Sequence, residues 1–312
     1  MKEFDCSFLD KLREAGLHLK IVSFTHLPQL QKEIQNLCTN SLLDKQFFQE
    51  RLTHFDFETP KELSNPRSII VAALPRPQTR ATFNWKGQKC SLILPPTYTD
   101  YDETTKRIEN LIGEILEEKG FKFAEAPLPL KLLAARSGLV QYGKNNISYI
   151  PGLGSFFQLA AVYTDLSCEK DSWQEPKMMI TCERCDLCTN ACPTNAITSD
   201  RFLLHAERCI TYHNEKKGEV PFPNWIKESS HNCIVGCMVC QKACPENKKL
   251  LNWIGEEEEF SEEETALILN GVPQDSLPRT TRKKLQHLSL ADYYDRLPRN
   301  LSVFLKKSTP KN

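Results

Sequence analysis

The chain has 312 residues, enough to bury a substantial core as one large domain or two modest ones. Its 40 basic and 40 acidic residues balance, so no overall field attracts nucleic acid, and RNA binding would depend on local patches. No segment approaches the roughly 18 apolar residues of a membrane helix, and the charged first five residues do not resemble a secretory signal. We therefore expect a cytoplasmic protein with no membrane contact.

The N-terminal half of the chain mixes helical and strand patterns. Residues 1–60 are predicted to be helical and amphipathic, with apolar positions at helical spacing. Residues 68–74 form a short apolar run that ends at Pro75, which is typical of a strand buried on both faces. A polar loop that contains two adjacent prolines follows. A helix is then predicted over 102–119, and Gly120 ends it.

The pattern continues with shorter elements. Residues 121–126 are a possible second strand, and 128–136 are predicted to be a helix with Gly138 as its C-cap. Residues 147–150 and 156–163 are predicted to pair as two strands around a glycine turn. Strands and helices thus alternate up to about residue 166, which favours an α/β layered fold.

Two cysteine runs, each closed by Cys-Pro, follow this region. They are Cys182-x2-Cys185-x2-Cys188-x3-Cys192-Pro193 and Cys233-x3-Cys237-x2-Cys240-x3-Cys244-Pro245. The first run is the pattern of bacterial two-cluster ferredoxins, in which three thiolates bind one [4Fe–4S] cluster and the fourth binds the other. The repeated pattern predicts two [4Fe–4S] clusters.

Zinc and disulfides are the alternatives for these cysteines. Zinc would be satisfied by paired Cys-x2-Cys units and needs no further cysteines followed by proline. Disulfides require an oxidising compartment, which nothing in the sequence indicates. Four of the 13 cysteines are isolated in the sequence and are predicted to be small buried hydrophobic residues: Cys6, Cys38, Cys90 and Cys168.

The C-terminal part of the chain differs in composition. Residues 256–264 are an acidic run, predicted to be a solvated face, in which Ser261 could cap the following helix. A small basic cluster follows, which could contact a phosphate backbone or form a solvated helix face: Arg279, Arg282, Lys283 and Lys284. We predict three parts, namely an α/β domain with a helical N-terminus over 1–174, a cluster module over 175–250 and a helical tail over 251–312.

Several short segments resemble the epoxyqueuosine reductases, a family related to the reductive dehalogenases. The resemblance spans roughly residues 65–305. The segments are Ser137-Gly-Leu-Val-Gln-Tyr-Gly-Lys-Asn145, Gly154-Ser-Phe-Phe157, Cys192-Pro-Thr-Asn-Ala-Ile197, Arg208-Cys-Ile-Thr-Tyr212, Val235-Gly-Cys-Met-Val-Cys-Gln-Lys-Ala-Cys-Pro245 and Arg299-Asn-Leu-Ser-Val303.

The resemblance implies an α/β (α+β) corrinoid-reductase-like domain followed by a bacterial two-[4Fe–4S] ferredoxin-like module. It also implies a cobalamin cofactor and removal of an epoxide oxygen from a modified base in tRNA. The printed sequence contains little of the C-terminal repeat extension that helps the family to grip tRNA. The expectation of tRNA binding is correspondingly weaker.

The resemblance also implies two ligand sets and a corrinoid-binding set. Spacing alone leaves Cys233 as a rival of Cys209, and the resemblance favours Cys209 because its flanking residues match the family. The first cluster would be held by Cys182, Cys185, Cys188 and Cys244, the second by Cys192, Cys209, Cys237 and Cys240, and the corrinoid would be contacted by Tyr101, Gly143, Lys144, Asn145 and Thr211.

The chain departs from the family at its catalytic acid. The family places an Asp over the corrinoid to protonate the substrate, and Ala124 occupies that position here. General acid catalysis typically contributes about 10²–10⁴-fold. Glu125 is adjacent, but neighbouring side chains of an extended segment point to opposite faces. Glu125 and Tyr142 are therefore only candidates for the acid.

We expect an iron–sulfur reductase that takes electrons from a low-potential donor, a ferredoxin or flavodoxin. Electrons would pass through two [4Fe–4S] clusters to a bound corrinoid and on to an unidentified small molecule. One alternative is an electron carrier or a reductase that reactivates a partner corrinoid protein. Another is a tRNA epoxyqueuosine reductase, which would bind tRNA with salt-sensitive affinity.

Overall fold

The computed structural model describes residues 7–307. The predictions about Cys6 and about the charged first five residues concern positions outside this range. The helices are α1 (Ser7–Glu14), α2 (Leu27–Thr39), α3 (Lys45–Arg51), α4 (Tyr101–Glu118), α5 (Leu130–Arg136), α6 (Leu187–Ala191), α7 (Ile210–Asn214), α8 (Val239–Ala243), α9 (Glu262–Leu269), α10 (Arg279–His287) and α11 (Leu297–Lys307). The strands are β1 (His18–Ser23), β2 (Ser68–Pro75), β3 (Gln78–Trp85), β4 (Gln88–Leu94), β5 (Phe123–Glu125), β6 (Gln141–Tyr142), β7 (Ser148–Tyr149), β8 (Phe157–Thr164) and β9 (Ile254–Phe260). None of the helices in this range combines the length and apolar character needed to cross a bilayer.

Contacts within the chain group into two compact units, each built from separate stretches. The first unit comprises the described residues up to Arg76, with Tyr101–Asp186 and Asp200–Leu203. The second comprises Pro77–Asp100, Leu187–Ser199 and the described residues from Leu204 onward. The three-part division of the sequence proposed above stays a prediction.

A four-stranded antiparallel sheet forms the centre of the first unit, in the order β1-β2-β8-β5. Alternate residues of β2 point to opposite faces, so Ile69 packs with one apolar cluster and Ile70 with another. Helices α2 and α5 cover the first face, whereas α1 and α4 cover the second. The prediction of a strand buried on both faces is therefore confirmed for β2.

The helix predictions in this unit are largely confirmed. Helix α4 buries Ile108, Ile112 and Leu116 at helical spacing and ends just before Gly120. Helix α5 is followed by Gly138, whose φ of +70° is the left-handed conformation that a C-terminal glycine adopts most easily.

Two predictions for this unit are wrong. Residues 18–23 were included in a helical N-terminus, but they form β1, an edge strand that pairs with β2 along its whole length. The predicted pairing of 147–150 with 156–163 is replaced by β6–β7 and by the packing of β8 between β2 and β5. Strand β8 is buried at every position and pairs with β2 along its whole length and with the short β5, not with its neighbour in sequence.

The second unit contains a three-stranded sheet in the order β4-β3-β9. Strands β3 and β4 form a hairpin through Lys86 and Gly87, in a region that the sequence predicted as a polar loop. The acidic run forms β9, which pairs in parallel with β3. Its side chains are exposed but partnered, since Arg80 lies 2.8 Å from Glu257 and Lys89 lies 2.7 Å from Glu259.

The elements after β9 follow local sequence signals. Ser261 and Glu264 form a capping box at the start of α9, which confirms the predicted cap. The basic cluster lies on and beside α10, where Lys284 bonds to Glu264 at 2.6 Å. Phe83 and Phe260 stack with ring centroids 4.8 Å apart in the core beneath.

His287 at the end of α10 should make the stability of the second unit depend on pH. Its two ring nitrogens lie 2.7 Å from Glu258 and 2.9 Å from Glu256, and the hydrogen bond to Glu258 contributes most to raising its pKa above 6.5. A raised pKa stabilises the folded state below pH 6.5, and this contribution is lost as the pH rises through the folded pKa. We expect His287→Gln to cost up to about 0.5 kcal/mol at pH 5.5, because the site is half-exposed, and less at pH 9.

Urea unfolding at the two pH values measures this difference. Gln286→Ala, an exposed change on the same helix, is the matched control and should show the same effect at both pH values. A loss for His287→Gln that does not vary with pH would contradict the role of the protonated imidazole.

Candidate iron–sulfur site

Four of the cysteines lie together within the second unit. Cys192 follows α6, Cys209 immediately precedes α7, Cys237 lies two residues before α8, and Cys240 lies in the first turn of α8. Each is thus held at the end of a short helix, where a turn can direct its sulfur without a long flexible loop. These four are the set that the family resemblance assigned to the second cluster.

The thiols of this set are close enough to influence one another. Burial, with smaller contributions from Cys237 and Cys192, raises the pKa of Cys209 to about 11. Burial also raises the pKa of Cys240 well above its usual value, and Cys237, Cys209, Cys192 and, outside this set, Cys188 add to the shift. Negative charge on one sulfur therefore opposes ionisation of the next, and a positively charged group among them would be required to hold all four as thiolates.

Hydrogen-bond donors point at three of these sulfurs. The backbone N–H of Ala196 lies 3.3 Å from Cys192 Sγ, and Asn232 Nδ2 lies 3.1 Å from Cys237 Sγ. Thr211 donates to Cys209 through both its backbone and its side chain. Donors of this kind stabilise charge on sulfur and are among the features that set the potential of an iron–sulfur cluster.

The grouping of these thiols suits a cluster better than a single ion. Nowhere in residues 7–307 do three His, Cys, Asp or Glu side chains gather closely enough to hold one metal ion. A [4Fe–4S] cubane takes one thiolate on each iron, so its ligands are spread more widely than those of one ion. The partly buried thiols of this set, three of which have hydrogen-bond donors, fit such a cluster.

The set assigned to the first cluster is divided between the two units. Cys182 and Cys185 belong to the first, where Cys182 ends a 3-10 turn and the N–H of Cys185 donates to its carbonyl. In the second unit, Cys188 is buried in α6, and Cys244 follows α8.

Cys233 makes contacts that differ from those of the four-thiol set. Its side chain is fully buried, and its thiol lies 3.3 Å from Asn232 Oδ1. Burial raises its pKa to about 12, and within the described residues Cys237 is the one thiol that adds to the shift. Cys209 in contrast interacts with Cys192, Cys237 and Cys240.

Two residues of the Arg-Asn-Leu motif support the loops that contain these cysteines. The guanidinium of Arg299 donates to backbone carbonyls around the end of α7, and Asn300 donates to the carbonyls of Asn214 and Ile234. The side chain of Asn214 in turn donates to the carbonyl of Gly236 at 2.8 Å. The sequence analysis used the motif only for resemblance and did not predict this structural role.

Gly236 is required immediately before Cys237. Its φ is +72°, and a Cβ there would lie 2.9 Å from the ring of Tyr98. Tyr98 is fixed by a short hydrogen bond to Glu215. A side chain at position 236 would therefore displace the cysteine loop.

The residues predicted to contact a corrinoid are largely occupied by protein contacts. Lys144 Nζ lies 2.9 Å from the carbonyl of Cys185 and 2.8 Å from Asp186. The amide of Asn145 bonds to Tyr149 and to the N–H of Ile147. A Cβ at Gly143 would lie 2.5 Å from this Asn145 amide. The predicted set therefore supports the turn of β6 and β7 and the first cysteine run.

The other two members of that set lie in different units. Thr211 belongs to the second unit and bonds to Cys209, while Tyr101 starts α4 in the first and is 45% exposed. The contact of these residues with a corrinoid stays a prediction.

The structure separates Glu125 from the position of the missing Asp, whereas Tyr142 belongs to the same apolar cluster as Ala124. Ala124 packs with the apolar cluster under α2 and α5, whereas Phe123 packs on the opposite face with α4. Glu125 shares the face of Phe123 and contributes, after burial, to raising the pKa of Glu109 on α4 to about 7. Tyr142 is buried, which raises its pKa, and its ring packs edge-on against Phe202 at 5.2 Å.

Comparisons with known proteins agree with this arrangement. Residues 181–247 match the family described as a 4Fe-4S double cluster binding domain. The curated epoxyqueuosine reductase of Atelocyanobacterium thalassa (isolate ALOHA) is 32% identical over 154 residues, which cover 48% of this chain and 49% of that protein. The chain thus spans about half the length of the curated relatives it matches.

Solved structures share the fold over more of the chain. A structure of epoxyqueuosine reductase from Bacillus subtilis superposes with a TM-score of 0.65 at 22% identity and covers 96% of this chain and 80% of that one. A crystal structure of epoxyqueuosine reductase with an epoxyqueuosine-modified tRNA-Tyr stem loop superposes with a TM-score of 0.63 at 21% identity, with the same coverage. The chain therefore shares the mixed α/β fold of solved epoxyqueuosine reductases, resembles curated epoxyqueuosine reductases over about half its length, and contains a 4Fe-4S double cluster binding domain.

Proposed function

We propose that the chain is an iron–sulfur reductase whose eight assigned cysteines hold two [4Fe–4S] clusters. The observation that carries this proposal is the group of partly buried thiols formed by Cys192, Cys209, Cys237 and Cys240. Such clusters supply one-electron transfer at potentials that burial and hydrogen bonds adjust. The protein contributes short helices that aim the sulfurs, donors that stabilise charge on them, and apolar surroundings that exclude water.

We further propose that the substrate is a modified base in tRNA of the epoxyqueuosine kind. The names of the curated relatives support this assignment, as does the solved relative with a modified tRNA stem loop. Reduction of an epoxide to an alkene consumes two electrons and two protons and releases the oxygen as water. A low-potential donor, such as a ferredoxin or flavodoxin, would supply the electrons.

This assignment requires a proton donor, and position 124 does not supply one. Ala124 cannot donate a proton, and Glu125 lies on the far face of the sheet. Tyr142 remains a proposed donor, although burial makes its phenol a poor acid. The reaction would therefore depend on water, on the substrate or on Tyr142, and would be slower than with a carboxylic acid.

Ala124 favours a second candidate function, an electron carrier or a reductase that reactivates a partner corrinoid protein. Such a protein needs the cluster module and a docking surface but no acid of its own. Cobalamin bound by the chain itself is a separate proposal. Metal analysis after anaerobic purification separates these cases, because about one cobalt per chain beside about eight irons would support a bound corrinoid.

Substitution of Cys209 should remove one cluster. We expect Cys209→Ala to lower the iron content from about eight to about four per chain, because its sulfur lies among the other three ligands. Cys233→Ala should keep about eight, because Cys233 bonds to Asn232 instead. Iron analysis and electron paramagnetic resonance (EPR) of anaerobically reduced protein measure both.

The isolated Cys168→Ala serves as the control and should retain all the iron. Loss of four irons in Cys233→Ala with none lost in Cys209→Ala would reverse the ligand assignment. Tetrahedral zinc in the unmodified protein would contradict the proposed function altogether.

Restoring an acid at position 124 should accelerate epoxide reduction. We expect Ala124→Asp to raise turnover of an epoxyqueuosine-modified tRNA stem loop by about 10²–10⁴-fold. Ala124→Asn has the same shape without the acid and is the matched control. Mass spectrometry of nucleosides after single-turnover incubation with reduced protein measures the product.

Equal turnover of the Asp and Asn variants would show that position 124 does not supply the proton. No turnover by any variant with both clusters intact, and no salt-sensitive tRNA binding, would favour the carrier function.

A further inference from the structure

We propose that Asn232 sets the reduction potential of the cluster held by Cys192, Cys209, Cys237 and Cys240, and that the thiol of Cys233 positions it. This inference rests on the proposed function, since it concerns a cluster at that four-thiol set. It assigns a role to Cys233, the one cysteine of the two runs that the ligand assignment leaves over. Asn232 and Cys233 are here positioning residues that act through a ligand.

The orientation of the Asn232 amide is fixed by its neighbours. Its Oδ1 lies 2.8 Å from the backbone N–H of Met238, a group that can only donate, so this atom must be the oxygen. The Nδ2 group then lies 3.1 Å from Cys237 Sγ and 3.3 Å from the carbonyl of Ser230. Both of its hydrogens therefore have acceptors, one of which is the sulfur.

Cys233 holds the other end of the same amide. Its Sγ lies 3.3 Å from Asn232 Oδ1, and its side chain is fully buried. Burial disfavours a thiolate, so the group stays a thiol and donates its S–H to the oxygen. The backbone of Cys233 also forms a bridge with Ile93 beside β4, which anchors the thiol to the sheet of this unit.

These contacts predict an effect on redox potential. Adding an electron increases the negative charge on a cluster and its sulfur ligands, and a hydrogen bond to sulfur stabilises that charge. The bond from Asn232 should therefore raise the potential of this cluster. Backbone donors serve Cys192 and Cys237 as well, but a substitution can remove the Asn232 bond without breaking the main chain.

The test is an anaerobic redox titration of the full-length protein with dithionite, followed by EPR of the two cluster signals. Asn232→Leu should lower one midpoint so that, at a fixed potential, the reduced-to-oxidised ratio falls about tenfold, which is 59 mV for a one-electron couple. Cys233→Ala should shift the same signal in the same direction by less. Cys233→Ser keeps a donor to Asn232 Oδ1 and should remain close to the unmodified protein.

The signal of the first cluster, assigned to Cys182, Cys185, Cys188 and Cys244, is an internal control and should not move, and Cys168→Ala should leave both signals unchanged. Two intact signals with no shift in Asn232→Leu would overturn this inference and leave the proposed function standing. If Asn232→Leu loses iron, the Cys233 variants decide. Equal reduction potentials for Cys233→Ala and Cys233→Ser would overturn the inference, and a lower potential for Cys233→Ala would support it.

Loss of iron in Cys233→Ala alone would make Cys233 a ligand and would also overturn the inference. Absence of cluster signals from the unmodified protein would overturn the proposed function.

Discussion

The close approach of four partly buried thiols is the constraint on which the second unit depends. Cys192, Cys209, Cys237 and Cys240 come from three separate stretches, and burial together with neighbouring sulfurs raises the pKa values of Cys209 and Cys240. The surrounding chain compensates with a dense polar framework. Arg299, Asn300 and Asn214 bind the carbonyls of the loops, and the donors to sulfur prepare the site for negative charge. The framework explains why a polar motif near the end of the chain accompanies the cysteine runs.

The first unit imposes a different constraint, which is the strict alternation of side chains across a sheet covered on both faces. This alternation sends Ala124 and Glu125 to opposite sides, so a neighbouring carboxylate cannot replace a missing one. Under the proposed function, the cysteines assigned to electron transfer are present, whereas position 124 carries no carboxyl group.

Several residues that the family resemblance assigned to the corrinoid make structural contacts in this chain. Lys144 ties the β6–β7 turn to the carbonyl of Cys185, and Thr211 supports the sulfur of Cys209. Segments that match a family of cofactor-binding proteins can therefore be retained because they position cluster ligands. The separate proposal of a bound corrinoid is tested directly by metal analysis for cobalt.

Signals that act over a few residues were sufficient for much of this protein. The cysteine spacing, the apolar run of β2, the stripe of α4 and the capping box at Ser261 each report a local requirement of geometry or burial, and each was recognised from sequence. Elements that depend on distant partners were not recognised. Strand β1 forms by pairing with β2, and the acidic side chains of β9 are paired with cations of β3 and β4. Strand β8 pairs with core strands and not with its neighbour in sequence. The spacing also left Cys209 and Cys233 as rivals, and only the folded chain distinguishes their neighbours, because the proximity of sulfurs depends on long-range packing.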